Sequence, residues 1–434
     1  MLSHEDNELM CRVGPGSPMG TALRRYWIPA LQSSDLPEPG GDPRRVELLG
    51  ESFVAFRGTD GRVGFLDEHC PHRGASLVLG RVEECGLRCI YHGWKFDADG
   101  KVLETPNVMD PKFKDRFKAR AYPVREAGGL IWVYLGAAQH EPPLPHHPWF
   151  DLPESNRLNA YLVENANWVQ VLEALLDSSH LNILHTDGMR AVSNSNIGFA
   201  EANRPLLLDH APRTEAEPTD FGFHYAALRK VPGRDDELDV RITAYIAPFA
   251  VANPIGNLWM AVVPLNDYQC IYYHVFWDPV RKMAEEPERS AQLNFIGLDQ
   301  PALAAFGLTF ETLHDPDRPR RENNFKQDRA AIRAGRSFSG LPSFSQEDAA
   351  VNMSAGALKD RSKELLCPAD AAIVRLYRTL IAIAKNGRDG VEPVGVRADP
   401  LQIFGTQGRL PLNGKWQSLV PTHRATKRVH SQLP

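Results

Sequence analysis

Two periodicities divide the chain. Between residues 45 and 137, apolar positions alternate in short runs: RVELLG, SFVAFR and RVGFLDEHC, parted by turn signals such as Thr59-Asp60-Gly61. Period-two alternation bounded by Gly and Asp predicts strands with one buried face. WKFDADGKVLET predicts a hairpin with Asp-Ala-Asp-Gly at its tip, and GGLIWVYLG a further strand. From Glu164 the period changes. In ENANWVQVLEALLDSSHLNILH, Leu172, Leu175 and Leu176 form a stripe at helical spacing. Strand patterns return from Asn196 to Trp277, in FGFHYAAL, LDVRITAYIAPFAVANP, NLWMAVVPL and CIYYHVFW. Residues 281–345 read as charged and irregular. DAAVNMSAG, opened by Asp348, reads as a helix. ADAAIVRLYRTLIAIAKN reads as a longer amphipathic one, with Pro368 at its start and Gly387 just past its end. Residues 1–40 read as loops around LRRYWIPAL, and 388–434 as a wrapping or surface tail. The stretch 141–160 is a Pro-rich joint in which His146 and His147 read as solvated linker residues. The expected class is α+β, with an all-β domain in 1–150 and a domain of sheet and helices in 151–434.

A length of 434 residues suits two or three domains with a large core. The 49 basic against 54 acidic residues give a net charge of −5, which excludes a general nucleic-acid surface. No stretch reaches 18 apolar residues, so no membrane span is expected. Met1–Met10 is polar and Arg24-Arg25 precedes no hydrophobic run, so no export signal is expected and cytoplasm is the default. Six cysteines are too few for a disulfide scaffold. Gly14, Gly16 and Gly20 imitate a dinucleotide loop, but no strand precedes them, and they read as turns. With no nicotinamide site of its own, the chain would need reducing power from elsewhere.

Two groups of residues carry chemistry. Asp177 and His180 fall one turn apart on a helix face, and His185 follows five residues later. That last spacing lies well round a regular helix, so the helix must end, bulge or bend for both imidazoles to meet one metal. With a carboxylate from elsewhere they would form the facial 2-His-1-carboxylate site that holds Fe(II) and leaves positions for oxygen. The sharper signal lies upstream. Cys70-Pro71-His72-Arg73-Gly74 and, fourteen residues on, Cys89-Ile90-Tyr91-His92-Gly93-Trp94 offer two thiolates and two imidazoles. Zinc would take all four in one tetrahedron. A Rieske [2Fe–2S] cluster would put both cysteines on one iron and both histidines on the other. Glycines that let backbone N–H groups approach the sulfurs, and a proline that stiffens its loop, favour the cluster.

These motifs, with N-W-x-Q-x-x-E-x-x-x-D-x-x-H-x-x-x-x-H from Asn167, resemble the oxygenase (alpha) subunit of the Rieske non-haem iron oxygenases, most closely the phthalate-dioxygenase-like group. The resemblance runs from roughly Arg24 to Asn386. It implies a Rieske domain ahead of a helix-grip catalytic domain, and O₂-dependent hydroxylation or O- or N-demethylation of an aromatic substrate. It also implies electrons from an NAD(P)H-dependent reductase of flavin or ferredoxin type, passed between subunits of a homotrimer or dimer of trimers. Cys70, His72, Cys89 and His92 would hold the cluster, and His180, His185 and Asp348 the mononuclear Fe(II). Asp348 is the favoured third ligand because Q-E-D-x-x-V resembles the family segment, with Glu347 and Asp328 as rivals. Asp177 would hydrogen-bond a ligand histidine and, across a subunit interface, a cluster histidine. Leu181 would give a less polar side to the pocket, Arg229 or Arg241 would hold an aromatic carboxylate, and His274 would be a wall or surface residue. A Rieske-type electron carrier and a zinc protein are the competing readings.

Overall fold

Ser3 and Ser17 each open a helix where the sequence reads as loop. The Ser3 side chain accepts from the Asp6 N–H at 3.0 Å and caps α1 (His4–Cys11). Ser17 caps α2 (Pro18–Leu23), whose first residue is the proline that a helix start tolerates. Gly20, expected in a turn, lies inside α2. The computed structural model describes residues 2–193, 209–231, 233–254 and 257–420.

The expected N-terminal strands form three small antiparallel sheets. β1 (Trp27–Gln32) later pairs with β10 (Leu130–Tyr134), which pairs with β9 (Val124–Ala127). β2 (Arg44–Leu48), β3 (Glu51–Arg57) and β4 (Val63–Asp67) make the second sheet. β5 (Arg81–Glu83), β6 (Gly86–Arg88), β7 (Lys95–Asp97) and β8 (Val102–Glu104) make the third. The β7–β8 turn closes as expected, with Asp97 Oδ1 accepting from the Asp99 and Lys101 amides and Gly100 at φ +80°. Alternation along β3 assigns its two faces to two cores. Val54 and Phe56 join Cys70, Leu87, Cys89, Trp94 and Phe96 in a small core around the Cys-His loops. Phe53 and Ala55 face the large core shared with the rest of the chain.

That large core is organised by one antiparallel sheet in the order β11 (Arg157–Glu164), β17 (Cys270–Trp277), β16 (Leu258–Pro264), β15 (Ala250–Ala252), β14 (Arg234–Ile246), β13 (Gly222–Val231), β12 (Arg213–Pro218). Against it pack α3 (Trp168–Leu176) and a long helix, α9 (Ala371–Arg388). Between α3 and β12 lies α4 (Thr186–Ser193). The segment that reads as irregular carries α5 (Glu288–Ile296), α6 (Gln300–Phe306) and α7 (Arg329–Arg333). Asp299 as N-cap, Pro301 in the first turn and Gly307 at φ +81° mark α6 at both ends. The helix expected to open at Asp348 instead starts four residues earlier, as α8 (Phe344–Ser354). α9 also runs through Gly387, which is therefore not a stop signal. A Cβ there would lie 2.6 Å from that of Ala22, so its role is to let α2 lie close along α9.

The tail contributes a strand: β18 (Thr406–Pro411) pairs with β14, and Trp416 is buried beyond it. Residues 421–434 lie outside the described residues. Packing also crosses the joint near residue 150. His146 is exposed and bonded to Asp151, but His147, expected in solvent, is 5 % exposed. It stacks on Trp149 at 4.3 Å and Trp132 at 5.4 Å, because the chain folds it between β10 and β16. Among the described residues no helix is long and apolar enough to cross a membrane.

Candidate active site

The twin loops at the tip of the small core are built alike. In the first, Cys70 N–H donates to the Ala75 carbonyl at 2.9 Å and Gly74 N–H to the Cys70 carbonyl at 2.9 Å. In the second, Cys89 N–H donates to Trp94 at 2.8 Å and Gly93 N–H to Cys89 at 3.0 Å. Gly74 and Gly93 sit at φ +73° and +76°, a conformation that lets each loop reverse within four residues. Both cysteines are buried, and burial pushes the Cys70 thiol up to about 11. The His72 and His92 rings lie 4.6 Å apart at 70°, with His72 stacked on Trp94. His92 Nδ1 is buried without a hydrogen-bond partner. Beside a second imidazole 4.6 Å away and the two buried cysteines, that orphaned nitrogen fits a metal ligand. Among the described residues, the metal-ligand set whose atoms all lie within 4.8 Å of one another is His180, His185 and Asp348. Cys70, His72, Cys89 and His92 are not drawn to one point in that way, an arrangement that fits a two-iron cluster rather than tetrahedral zinc.

The second centre depends on where α3 stops. Asn167 caps its start through Val169 N–H at 3.1 Å, and Asp177, with extended backbone, ends it. Asp177 Oδ1 then accepts from the Ser179 amide at 2.7 Å and its hydroxyl at 2.6 Å, a turn that redirects the chain. A 3₁₀ turn at His180–Asn182 follows before α4 begins. The break thus resolves the awkward five-residue spacing, leaving the His180 and His185 rings 5.2 Å apart. Asp348 reaches across from α8, its Oδ1 3.1 Å from His185 Nε2 and 3.7 Å from His180 Nε2. Two imidazole nitrogens and a carboxylate oxygen within 4.8 Å of one another match the donor set of a mononuclear iron site.

Each histidine has a second carboxylate behind it. Asp177 Oδ2 lies 3.4 Å from His180 Nδ1. Burial would raise the Asp177 carboxyl, but bonding to His180 and Ser179 outweighs this and holds it at about 2. Glu347 Oε2 lies 2.7 Å from His185 Nδ1. As a rival third ligand Glu347 would have had to face Nε2, where Asp348 sits. Consecutive helix residues point about 100° apart, so only one of the pair can do so. Nor is Glu347 a solvated residue: it is 3 % exposed. Asp328, the other rival, caps α7 through the Ala331 amide.

A cavity of about 140 Å³ opens onto this trio. Leu181, Leu258, Met260, Phe295 and Phe344 line its apolar side. The volume is close to the roughly 150 Å³ that accepts one benzene ring. Arg241 and His274 also line it, both buried. Burial lowers the Arg241 guanidinium to about 10, which leaves it charged at neutral pH, and lowers His274 to about 3, which leaves it neutral. Arg229 does not line the cavity. Its Nη2 donates to the Ser178 carbonyl at 2.8 Å and hydroxyl at 3.0 Å, bracing the turn between Asp177 and His180. Glu164 is a lining residue with no sequence signal beyond its place at a strand end. Asn352 donates to it at 3.1 Å, and burial pushes it up to about 8.

Comparison with known proteins agrees with both halves. Residues 26–119 match the Rieske [2Fe-2S] domain family, and residues 133–432 match the LigXa C-terminal domain like family. The chain is 35 % identical to the phthalate 4,5-dioxygenase oxygenase subunit of Pseudomonas putida, covering 96 % of this chain and 94 % of that protein. It is 36 % identical to the 3-chlorobenzoate-3,4-dioxygenase oxygenase subunit of Comamonas testosteroni, covering 91 % and 92 %. Its fold is similar to that of Pseudomonas putida CBB5 NdmA QL mutant with caffeine, with a TM-score of 0.60 at 17 % identity over 87 % of this chain and 95 % of that one. An electron carrier would leave residues 133–432 without a purpose. With a Rieske domain at one end, a 2-His-1-carboxylate pocket at the other and such relatives along nearly its whole length, the chain belongs to the oxygenase subunits of the Rieske non-haem iron oxygenases.

Proposed function

We propose that this oxygenase subunit works in the cytoplasm on an aromatic carboxylate, delivering oxygen to a ring carbon or to the methyl group of an aryl ether or amine. In this reading Cys70, His72, Cys89 and His92 hold the [2Fe–2S] cluster, and His180, His185 and Asp348 hold Fe(II). When bound, the two groups supply one-electron relay and dioxygen activation. The chain's own side chains do the rest. Arg241 pairs with the substrate carboxylate, where burial makes a charge-assisted bond strong. Leu181, Leu258, Met260 and Phe295 hold the ring and keep water out. Asp177 accepts from His180 Nδ1 and so fixes the tautomer that presents Nε2.

The observation that carries this reading is a ring-sized apolar cavity with a buried guanidinium on one wall and two imidazoles and a carboxylate on another. Two relatives named for phthalate and 3-chlorobenzoate, both aromatic carboxylates, support it. A separate NAD(P)H-dependent reductase of flavin or ferredoxin type would supply electrons. A homotrimer, or a dimer of trimers, would bring the partner subunit's His92 to Asp177. Two exposed apolar surfaces support that contact: Ile90 and Tyr91 beside His92, and Val351 and Leu366 on the rim of a cavity of about 250 Å³ outside Asp177. Unpaired cysteines support a reducing compartment. The test is O₂ uptake with a reductase across a panel of benzoates, phthalates and their neutral analogues, with products identified by mass spectrometry. Coupled turnover of the carboxylates is expected; a preference for the neutral analogues would overturn the substrate class.

A further inference from the structure

The two iron-site histidines are backed by carboxylates in very different surroundings. Asp177, behind His180, keeps 27 % of its side chain exposed and lines the outer cavity. Glu347, behind His185, has a side chain 3 % exposed. Its second oxygen is also engaged: Ser339 Oγ donates to Glu347 Oε1 at 2.5 Å. The loop carrying Ser339 is tied in turn to the helix that follows His185. Ser337 Oγ and Phe338 N–H both donate to Asp187 Oδ2, at 2.6 and 2.8 Å. Residues 337–339 therefore grip α4 through Asp187 and Glu347 through Ser339, while Phe344 lies against the His185 ring at 4.6 Å. On its ring edge away from Asp348, His185 meets a fixed carboxylate.

We infer that Glu347, set by Ser339, is a positioning residue that holds His185 as the Nδ1–H tautomer with Nε2 free to ligate, and that it retains the iron, while Asp177 serves the solvent-facing side. The inference rests on the assignment of His180, His185 and Asp348 as the iron site. The physical reason is that a metal-ligating imidazole whose other N–H has a fixed acceptor loses no orientational freedom on binding and is a more basic ligand. A carboxylate that is buried and doubly bonded can supply that acceptor whatever happens at the surface. Asp177 lies where a partner would dock, so its geometry is open to change when the partner leaves.

The experiment uses the full-length holoprotein. Iron per chain is measured, together with the rate of Fe(II) loss to a chelator, and the cluster's visible absorption and EPR signal report an intact fold. Glu347→Gln is expected to weaken iron retention roughly 10–100-fold with the cluster signal unchanged. Ser339→Ala should weaken it by less, and Asp177→Asn, at a part-exposed carboxylate 3.4 Å from His180 Nδ1, should also weaken it by less than Glu347→Gln. Nitric oxide added to residual Fe(II) should give an altered EPR line shape in Glu347→Gln, which a loss of packing alone would not produce. Iron release from Glu347→Gln at the wild-type rate, or equal acceleration by Asp177→Asn, would overturn the inference. Should Glu347→Gln lose its cluster through misfolding, Ser339→Ala decides: wild-type retention there is equally fatal. A wild-type protein with no iron beyond its cluster refutes the site assignment itself, a result distinct from an indifferent Glu347.

Discussion

Glu173, one turn before the Asp177 cap of α3, holds that helix to α1 and to the segment 359–377. It pairs with Arg361 Nε, accepts from Tyr377 Oη at 2.7 Å and meets Lys359 Nζ at 3.1 Å. Arg361 is fully buried, and its Nη1 reaches Asn7 Oδ1 and Cys11 Sγ of α1, each at 3.2 Å. Glu173→Leu would leave that guanidinium buried without a counter-charge, which costs about 3–5 kcal/mol. Tyr377 adds little to this, since Glu364 lies 2.9 Å away as a second acceptor. The double variant Glu173→Leu with Arg361→Met removes both charges and should recover most of the loss. Urea unfolding of the iron-binding half, at constant slope, measures both differences. A single variant within about 1 kcal/mol of wild type, or a double variant no better than the single, would refute the argument. The pH dependence follows. Burial would raise the Glu173 carboxyl, but Arg361 and Lys359 outweigh it and hold it below its usual range. A carboxyl depressed in the folded state stabilises fully above its unfolded pKa of about 4.3, and that contribution disappears as pH falls through the folded value. Glu173→Leu should lack this part of the acid sensitivity.

Asp177→Asn should leave both metal centres filled, by elemental analysis, yet largely abolish turnover, because the amide could not accept from both imidazoles as the proposed bridge requires; wild-type oxygen uptake would refute the bridge. Arg241→Met should cost about 2–5 kcal/mol in the binding of an aromatic carboxylate, by calorimetry, while leaving a neutral analogue little changed. His147→Phe should be neutral or stabilising in thermal unfolding. It keeps the stack on Trp149 and removes His147 Nδ1, which is buried without a hydrogen bond. Burial lowers His147 to about 3, so the folded protein refuses a proton that the unfolded chain takes up below about pH 6.5. Wild type should therefore lose stability between those values on acidification, and the phenylalanine variant should lose less.

Local chemistry was legible wherever the sequence repeats it. The twin Cys-His loops, the β7–β8 turn and the alternating strands each carry their own signature within a dozen residues. Asp348 could be favoured over Glu347 by resemblance, but what each carboxylate does depends on which edge of His185 it meets, and that is set by packing between α4 and α8. Arg229 and Arg241 sit on neighbouring strands and look equivalent as text. The turn at Ser178 takes one and the cavity takes the other. His147 reads as solvated because its neighbours are prolines, yet rings distant in sequence, Trp132 and Trp259, close over it. Helices α1, α2 and α6 did have signals, a serine or aspartate cap with proline in the first turn for the latter two. Their brevity hides them from a search for periodicity.

The strand pair β1–β10 has a bearing on how the molecule is made. Both strands belong to the large core, so the cluster-bearing portion is spliced into the iron-binding portion rather than strung before it. Met19, Ala22 and Leu23 are synthesised well before α9 but find their seat only once it has been made. The hairpins around Cys70 and Cys89, by contrast, need only their immediate sequence neighbours to close. Contacts of short sequence separation form sooner than those that must wait on a long loop. The fold therefore imposes an assembly order, in which the iron–sulfur nest takes shape first and the oxygen-activating chamber is sealed last.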